Sequence, residues 1–272
     1  MGRAKARLPW FGRSMVEHVV AQLASAVDEI IVVGSAFLDL PEMPVRIVRD
    51  RDPERGPLAG LREGLEAIRS EFAFVTSTDA PYLTGSFVSA MLDRETPCAP
   101  VAEGRVQVLC AVYPAAAWKE AERLLDAGIG RPLRLLEALD FEAVDFEGPV
   151  PSPPWFGFNH PQAYLECVRA LDSGASAELE FGDCAALALK GQRHRVPVGT
   201  LGEILARWPE TQRLVADGYL SPAFMASLGE HDRARDLSVP VGPGECVKII
   251  DERSSRNSKP RGVPGRVGES DR

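Results

Sequence analysis

Residues 45–61, Val-Arg-Ile-Val-Arg-Asp-Arg-Asp-Pro-Glu-Arg-Gly-Pro-Leu-Ala-Gly-Leu, form the stretch that decides the fold. Residues 45–48 are predicted to form a short strand, and residues 58–68 have the apolar spacing of a helix. Gly56 and Pro57 separate the two, and proline is favoured at the first position of a helix. A strand that runs through such a loop into a helix is the repeating unit of α/β proteins.

The same alternation continues on both sides of this stretch. Strands are predicted at residues 30–33, 72–75 and 106–113, and helices at 14–25, 86–92, 115–125 and 132–139. The pattern predicts a Rossmann-like, mostly parallel sheet flanked by helices. Ligands of such sheets bind outside the carboxyl ends of the strands, so the residues that follow each strand carry the most functional information.

Composition narrows the class of protein. The chain has 272 residues, of which 45% are apolar and 26% charged, and its net charge is -8. An acidic chain without a basic stretch argues against nucleic-acid binding, and its short apolar runs argue against a membrane span or a secretory signal. The five scattered cysteines suggest reduced thiols and a cytoplasmic protein.

A change of pattern divides the chain. We predict a first domain over residues 1–172, a smaller α+β domain over 173–252 and a disordered tail over 253–272, because Asp172-Ser173-Gly174 has linker composition and the tail is polar. The second domain is predicted to contain a hairpin, residues 187–190 with 193–198. A helix capped by Thr200 and Glu203 then follows.

Two loops carry candidate ligand-binding groups. Asp50 lies at a predicted strand end, where it can accept from a base or sugar, and Gly56 and Gly60 permit close backbone approach at a helix start. The neighbouring charges Arg51, Asp52, Glu54 and Arg55 are expected to be solvated loop residues.

Asp79 follows the predicted strand 72–75 and would face the ligand crevice. A carboxylate there suits Mg²⁺, which takes one or two carboxylates together with substrate phosphates and water. The alternative is a simple turn residue, because aspartate near proline is common in turns. At the start of the chain, Gly2 and Lys5 precede an apolar helix, where a lysine can contact a phosphate.

Together these motifs resemble the molybdenum cofactor guanylyltransferase family of nucleotidyltransferases. The matching segments are Met1-Gly2-Arg3-Ala4-Lys5, Gly56-Pro57-Leu58-Ala59-Gly60-Leu61, Thr78-Asp79-Ala80-Pro81, Val108-Leu109-Cys110-Ala111-Val112-Tyr113, Arg131-Pro132-Leu133-Arg134 and Phe156-Gly157-Phe158-Asn159-His160-Pro161. Their order agrees with the family over residues 1–172.

The resemblance implies transfer of a GMP moiety from GTP to molybdopterin with release of pyrophosphate. It implies GTP on Gly2, Lys5, Asp50, Gly56, Pro57, Leu58 and Gly60, Mg²⁺ on Asp79, and molybdopterin near Asn159, with Lys5 and Asp79 as the catalytic pair. Cytidylyl or another nucleotidyl transfer, or a non-catalytic scaffold among cofactor-synthesis proteins, remains as an alternative.

The chain departs from the family in two places. The family begins with a strand and a Gly-Gly phosphate loop ahead of the segment that matches Met1–Lys5, so we expect the natural polypeptide to begin about a dozen residues upstream. Gly157 and His160 replace an asparagine and a threonine of the family motif. Activity is expected to be weak or absent if the chain begins at Met1.

Residues 193–252 resemble the β-grasp sulfur carriers of molybdopterin synthesis. The likeness rests on residues 198–205 and 241–250. Such carriers end in Gly-Gly, and here Asp251, Glu252 and Arg253 follow instead, so we expect a docking or structural role for this domain and no sulfur transfer.

Overall fold

The computed structural model describes residues 1–35, 39–146, 152–182, 189, 191–230 and 232–252. The described residues divide into two compact units, one of Met1 and residues from 3–164 and one of Gly2 and residues from 165–252. The sequence pattern places this boundary after residue 172, whereas the division falls inside a helix. The predicted tail, 253–272, and the first half of the predicted hairpin, apart from Leu189, lie outside the described residues.

The first unit is an α/β structure. Its strands are β1 (Pro9–Trp10), β2 (Arg13–Ser14), β3 (Ile31–Ser35), β4 (Arg46–Asp50), β5 (Phe72–Thr76), β6 (Cys98–Ala102), β7 (Arg105–Val106), β8 (Cys110–Pro114) and β9 (Glu142–Asp145). Its helices are α1 (Met15–Leu23), α2 (Pro57–Ala67), α3 (Gly85–Leu92), α4 (Trp118–Asp126), α5 (Pro132–Ala138) and the start of α6 (Pro161–Leu171). The predicted fold class is confirmed.

The sheets of this unit are mixed. Strands β3 and β4 form a parallel pair in which Ser35 lies opposite Asp50, so both strands end at the same edge. The other sheet has the order β5-β8-β6-β7, with β9 beside β6. Its β5–β8, β8–β6 and β6–β7 pairs are antiparallel, and only β9 is parallel to its neighbour. Strands β1 and β2 form a further, two-stranded antiparallel sheet. The described residues of this unit therefore hold three separate sheets where one mostly parallel sheet is predicted.

Helix α2 connects the parallel pair to the core. Gly56 has a φ of 83°, a left-handed conformation that glycine adopts without strain, and Pro57 then occupies the first helical position. Leu58, Leu61 and Leu65 point inward and are at most 6% exposed. They belong to an apolar cluster with residues of β5, β8, α4 and α5. The helix start is thus fixed directly after the strand that ends at Asp50.

The second unit is built on a five-stranded sheet. Its remaining elements are β10 (Ser176–Phe181), β11 (Arg193–Pro197), β12 (Gly199–Thr200), α7 (Leu201–Leu205), β13 (Val215–Ala216), β14 (Tyr219–Leu220), β15 (Phe224–Leu228), β16 (Asp232–Ala234), β17 (Pro240–Val241) and β18 (Cys246–Asp251). The strand order is β11-β10-β18-β15-β16, and only the pair of β10 with β18 is parallel. Thr200 and Glu203 form the predicted capping box at α7.

Candidate active site

Three side chains from distant parts of the first unit meet at one point. The Lys5 ammonium donates to Oδ2 of Asp79 at 2.9 Å and to Oδ1 of Asn159 at 3.0 Å. Lys5 lies on a single 3₁₀ turn packed against α1, Asp79 lies between β5 and α3, and Asn159 lies just before α6. The structure therefore brings together both predicted catalytic residues and the predicted substrate-binding residue.

The Asp79 carboxylate is held in a confined position. Asp79 is only 8% exposed. A Cβ atom added to Gly157 would lie 3.1–3.3 Å from the three carboxylate atoms of Asp79. Gly157 is thus the residue whose missing side chain lets the segment before Asn159 pass close to the carboxylate. The sequence marks Gly157 as a departure from the family motif, and the structure gives that departure a steric role.

His18 supports the loop that carries Asp79. The His18 side chain on α1 contacts the backbone carbonyl oxygen of Pro81, with 3.0 Å between Nε2 and the oxygen. Partial burial of the ring lowers the pKa of His18, and the charge of Arg13 adds to this effect. A neutral ring donates one N–H, so Nε2 is the protonated nitrogen in this contact. The sequence pattern gives His18 no such role, because a residue 63 positions away is its partner.

The second candidate group lies where β4 ends. Asp50 accepts a hydrogen bond at Oδ1 from its own loop, from the Asp52 amide at 2.9 Å. Its Oδ2 would lie 3.6 Å from a Cβ on Gly60, so Asp50 and the first turn of α2 are neighbours. Gly56 and Leu58 adjoin Gly130 instead, and the Leu58 amide donates to the Gly130 carbonyl at 3.4 Å.

A groove of about 570 Å³ runs between the sheet that contains β3 and the sheet that contains β5, and it reaches Asp50. It is lined by every residue of 30–35 and of 72–78, by apolar residues of α1, and by Pro57, Gly60 and further residues of α2. Consecutive residues of a strand point to opposite faces, so a lining of consecutive residues means that the strand edges themselves border the groove. Asp50, Gly60 and Thr78, the neighbour of Asp79, share this groove.

The donor set fits a hard divalent cation. One carboxylate oxygen and one amide oxygen converge on the Lys5 ammonium, and oxygen donors are those that Mg²⁺ prefers. Within the described parts of the chain, no cluster of three or more His, Cys, Asp or Glu side chains forms a metal site. A cation on Asp79 and Asn159 would therefore complete its shell with substrate phosphates and water.

Gly2 is the remaining residue that the sequence predicts to contact the nucleotide. Gly2 belongs to the second compact unit and has a φ of 67°. A Cβ on Gly2 would lie 2.8 Å from Cγ2 of Val239, so position 2 requires glycine for steric reasons. Its contact with a nucleotide stays a prediction.

Across the described residues, no helix has the length and apolar character needed to cross a membrane.

Comparison with known proteins gives a consistent result. Residues 1–142 match the family model described as "MobA-like NTP transferase domain". A "Probable molybdenum cofactor guanylyltransferase" of Mycobacterium tuberculosis (strain ATCC 25618 / H37Rv) is 34% identical over 149 residues, which cover 52% of this chain and 74% of the relative. A protein of the same name from Bacillus mycoides (strain KBAB4) is 25% identical over 182 residues, 63% of this chain and 91% of the relative.

Among solved structures, the chain is similar to 2-C-methyl-D-erythritol 4-phosphate cytidylyltransferase from Thermus thermophilus. The TM-score is 0.49 at 19% identity, over 62% of this chain and 94% of that one. It is also similar to molybdopterin-guanine dinucleotide biosynthesis protein A from Archaeoglobus fulgidus, with a TM-score of 0.44 at 17% identity, over 63% of this chain and 80% of that one.

Proposed function

Because the chain belongs to the MobA-like NTP transferase domain family and is a nucleotidyltransferase, we propose that it transfers a GMP moiety from GTP to molybdopterin. A phosphate oxygen of molybdopterin forms a bond to the α-phosphorus of GTP, the bond from that phosphorus to the bridging oxygen breaks, and pyrophosphate leaves. The observation that carries the proposal is the convergence of Lys5, Asp79 and Asn159 on one point.

The charge of each residue in this site determines its proposed role. The Lys5 side chain is 36% exposed, so its ammonium can leave Asp79 and contact phosphate oxygens instead. The Asp79 and Asn159 oxygens that Lys5 releases are then free to hold a cation. Mg²⁺, when bound there, neutralises charge on the phosphates. Positioning and charge neutralisation supply the catalysis, and no covalent enzyme intermediate is needed.

Asp50 and the start of α2 are proposed to face the nucleoside of GTP. Asp50 ends β4 next to Gly60, in the groove that also contains Thr78. The carboxyl ends of parallel strands are where ligands of α/β proteins bind. Asn159 is proposed to contact molybdopterin in addition to its hydrogen bond with Lys5.

We further propose that an extended strand preceding Met1 fills the groove between β3 and β5. Among the described strands, β3 pairs only with β4 and β5 only with β8, so each has one edge without a strand partner. Unpaired strand edges beside apolar helix faces accept an added strand. A polypeptide extended by its upstream in-frame codons should show a higher melting temperature and faster pyrophosphate release. An extension that changes neither contradicts this proposal.

For the second unit we propose a β-grasp-like fold with a docking or structural role. The parallel pair β10–β18, flanked by β11 on one side and β15 and β16 on the other, supports this assignment, as does α7 between β11 and β15 in the chain. Partners would be other proteins of molybdenum cofactor synthesis.

Pyrophosphate release tests the function directly. We expect release from GTP that requires both Mg²⁺ and molybdopterin, with the upstream-extended polypeptide as the more active form. Release from CTP in place of GTP would favour the cytidylyl alternative. Release from neither nucleotide by the extended polypeptide would refute catalysis and leave the scaffold hypothesis.

A further inference from the structure

We infer that Arg62 is a positioning residue that ties the loop after β4 to helix α2 and thereby fixes the orientation of Asp50. The inference rests on the proposed function, because Asp50 and the start of α2 are the groups proposed to face the nucleotide. Arg62 is not among the residues that line the groove, so it would act on the nucleotide through the loop and the helix that it holds together.

Arg62 is buried, and it is paired with acidic groups from three elements. It is 4% exposed, and its guanidinium donates to Oε1 of Glu63 at 2.7 Å, to Oδ2 of Asp52 at 3.3 Å and to Glu122 on α4. A guanidinium is planar and carries its donors in a fixed fork, so these three contacts restrict one another. The loop, α2 and α4 are therefore joined by a single side chain.

A second arginine ties the same loop to the same helix. Arg51 donates through Nε to Oε1 of Glu63 at 2.8 Å and through Nη2 to Oε2 of Glu66 at 2.7 Å. Glu63 is buried and accepts from both arginines. Two successive loop residues, Arg51 and Asp52, are thus held to α2, and Arg55 approaches Asp52 more loosely at 3.8 Å.

The contacts of the loop continue from Asp52 to Asp50. The amide of Asp52 donates to Oδ1 of Asp50 at 2.9 Å, so the position of Asp52 sets the rotation of the Asp50 carboxylate. Releasing the Asp52 side chain from Arg62 would release this amide. Asp50 would keep its place on β4 and lose its fixed orientation.

Stability alone does not account for the cluster. Replacing a buried ion pair by well-packed apolar groups is often neutral or stabilising, because taking charges out of water is costly. An arginine on the buried side of α2 is therefore poorly explained as a source of folding free energy. The geometry that it imposes on the loop is the property that an apolar side chain would not supply.

The experiment compares amide hydrogen exchange and transferase kinetics in four variants. Asp52→Ala removes the acceptor on the loop, at a partly exposed position. Arg62→Met removes the buried donor. Arg62→Lys keeps the positive charge but lacks the planar set of guanidinium donors. Arg123→Met is the matched control, since Arg123 makes an exposed pair with Glu120 on α4. Exchange is measured over residues 51–56 without nucleotide, and KM for GTP and kcat are measured with Mg²⁺ and molybdopterin.

We expect faster exchange over residues 51–56 in Asp52→Ala and both Arg62 variants, and unchanged exchange in Arg123→Met. KM for GTP should rise about fivefold to tenfold, equivalent to one hydrogen bond, with kcat nearly unchanged. Unchanged exchange in the first three variants would overturn the inference, and so would faster exchange with an unchanged KM. If the upstream-extended wild-type polypeptide releases no pyrophosphate at all, the proposed function fails, and the exchange data still decide whether Arg62 holds the loop.

Discussion

The Lys5 ammonium lies 2.9 Å from Oδ2 of Asp79, although the two residues are 74 positions apart. The carboxylate side chain is 12% exposed and the lysine side chain 36%. Because the lysine side chain is accessible to solvent, a ligand can displace Asp79 from Lys5 without unfolding the surrounding structure. The contact is therefore consistent with the proposed site, in which an anionic ligand would replace the carboxylate as the partner of Lys5.

Asp79→Asn should nearly abolish nucleotidyl transfer and leave the fold intact. The substitution keeps the shape of the side chain and removes the charge that would hold a divalent cation. We expect kcat to fall by roughly 100-fold or more, the usual cost of losing one preorganised charged or donor group. Because the Lys5 side of the pair is 36% exposed, we expect loss of the charge pair to change the unfolding free energy much less than it changes kcat. Pyrophosphate release and urea unfolding check the two parts, and an active Asp79→Asn variant would refute the assignment.

Lys5→Met should raise KM for GTP as well as lower kcat. The methionine side chain has a similar length and no charge, so it cannot contact phosphates. Lys5→Arg should retain part of the activity, because charge is kept while the geometry of the donors changes. Unchanged kinetics in Lys5→Met would show that the ammonium has a purely structural role beside Asp79.

Gly157→Ala should lower activity more than stability. The added methyl group would lie 3.1–3.3 Å from the Asp79 carboxylate, so one of the two must move by a few tenths of an ångström. A shift of that size at a catalytic group costs rate, whereas the backbone of Gly157 is not in the left-handed region and tolerates alanine. We expect kcat to fall by about tenfold with a small change in melting temperature. A large loss of stability with normal activity per folded molecule would contradict this.

The sequence predicts the order of elements well where local signals are strong. Gly56 and Pro57 mark the start of α2, and Thr200 with Glu203 marks that of α7, because caps and turns depend on neighbouring residues. Residues 106–113 are predicted as one strand, but the Cys110 amide bonds to the Gln107 carbonyl in a turn that separates β7 from β8. Strands β6 and β9 are not predicted from the sequence. Strand β6 contains Pro100, and β9 is polar and largely exposed.

The site is less predictable than the fold, since its contacts join distant residues. Lys5 and Asn159 are 154 positions apart, and no periodicity links them. The family resemblance selects both residues but places Asn159 toward the substrate, without its bond to Lys5. Arg51 and Asp52 are predicted to be solvated, whereas the structure pairs both with partners on α2. A charged residue on the buried side of a helix, such as Arg62, is the signal that could have revealed this cluster.

Thr200→Ala should destabilise the second unit without affecting transfer. The Thr200 side chain accepts from the Glu203 amide, and Glu203 accepts from the Thr200 amide at 2.8 Å. Loss of such a cap costs about 1 kcal/mol. Ser14→Ala removes the equivalent capping box from α1 in the first unit and serves as a matched comparison. Equal losses of transferase activity in both variants, at a temperature where both are folded, would contradict a docking or structural role for the second unit.

His18 should make the stability of the first unit depend on pH below about 6.5. Burial lowers the pKa of His18 in the folded protein from its ordinary value of 6.5. Between the lowered value and 6.5, the unfolded chain binds more protons than the folded one, so stability falls as the pH falls through this window.

His18→Gln isolates this effect, because a glutamine amide can still donate to the Pro81 carbonyl and does not titrate. We expect the unfolding free energy of His18→Gln to vary less with pH just below 6.5 than that of the wild type, with urea unfolding as the measurement. His160→Gln, at an exposed position, is the control for replacing a histidine. If the wild type and His18→Gln lose stability in parallel on acidification, another group is responsible for the pH dependence.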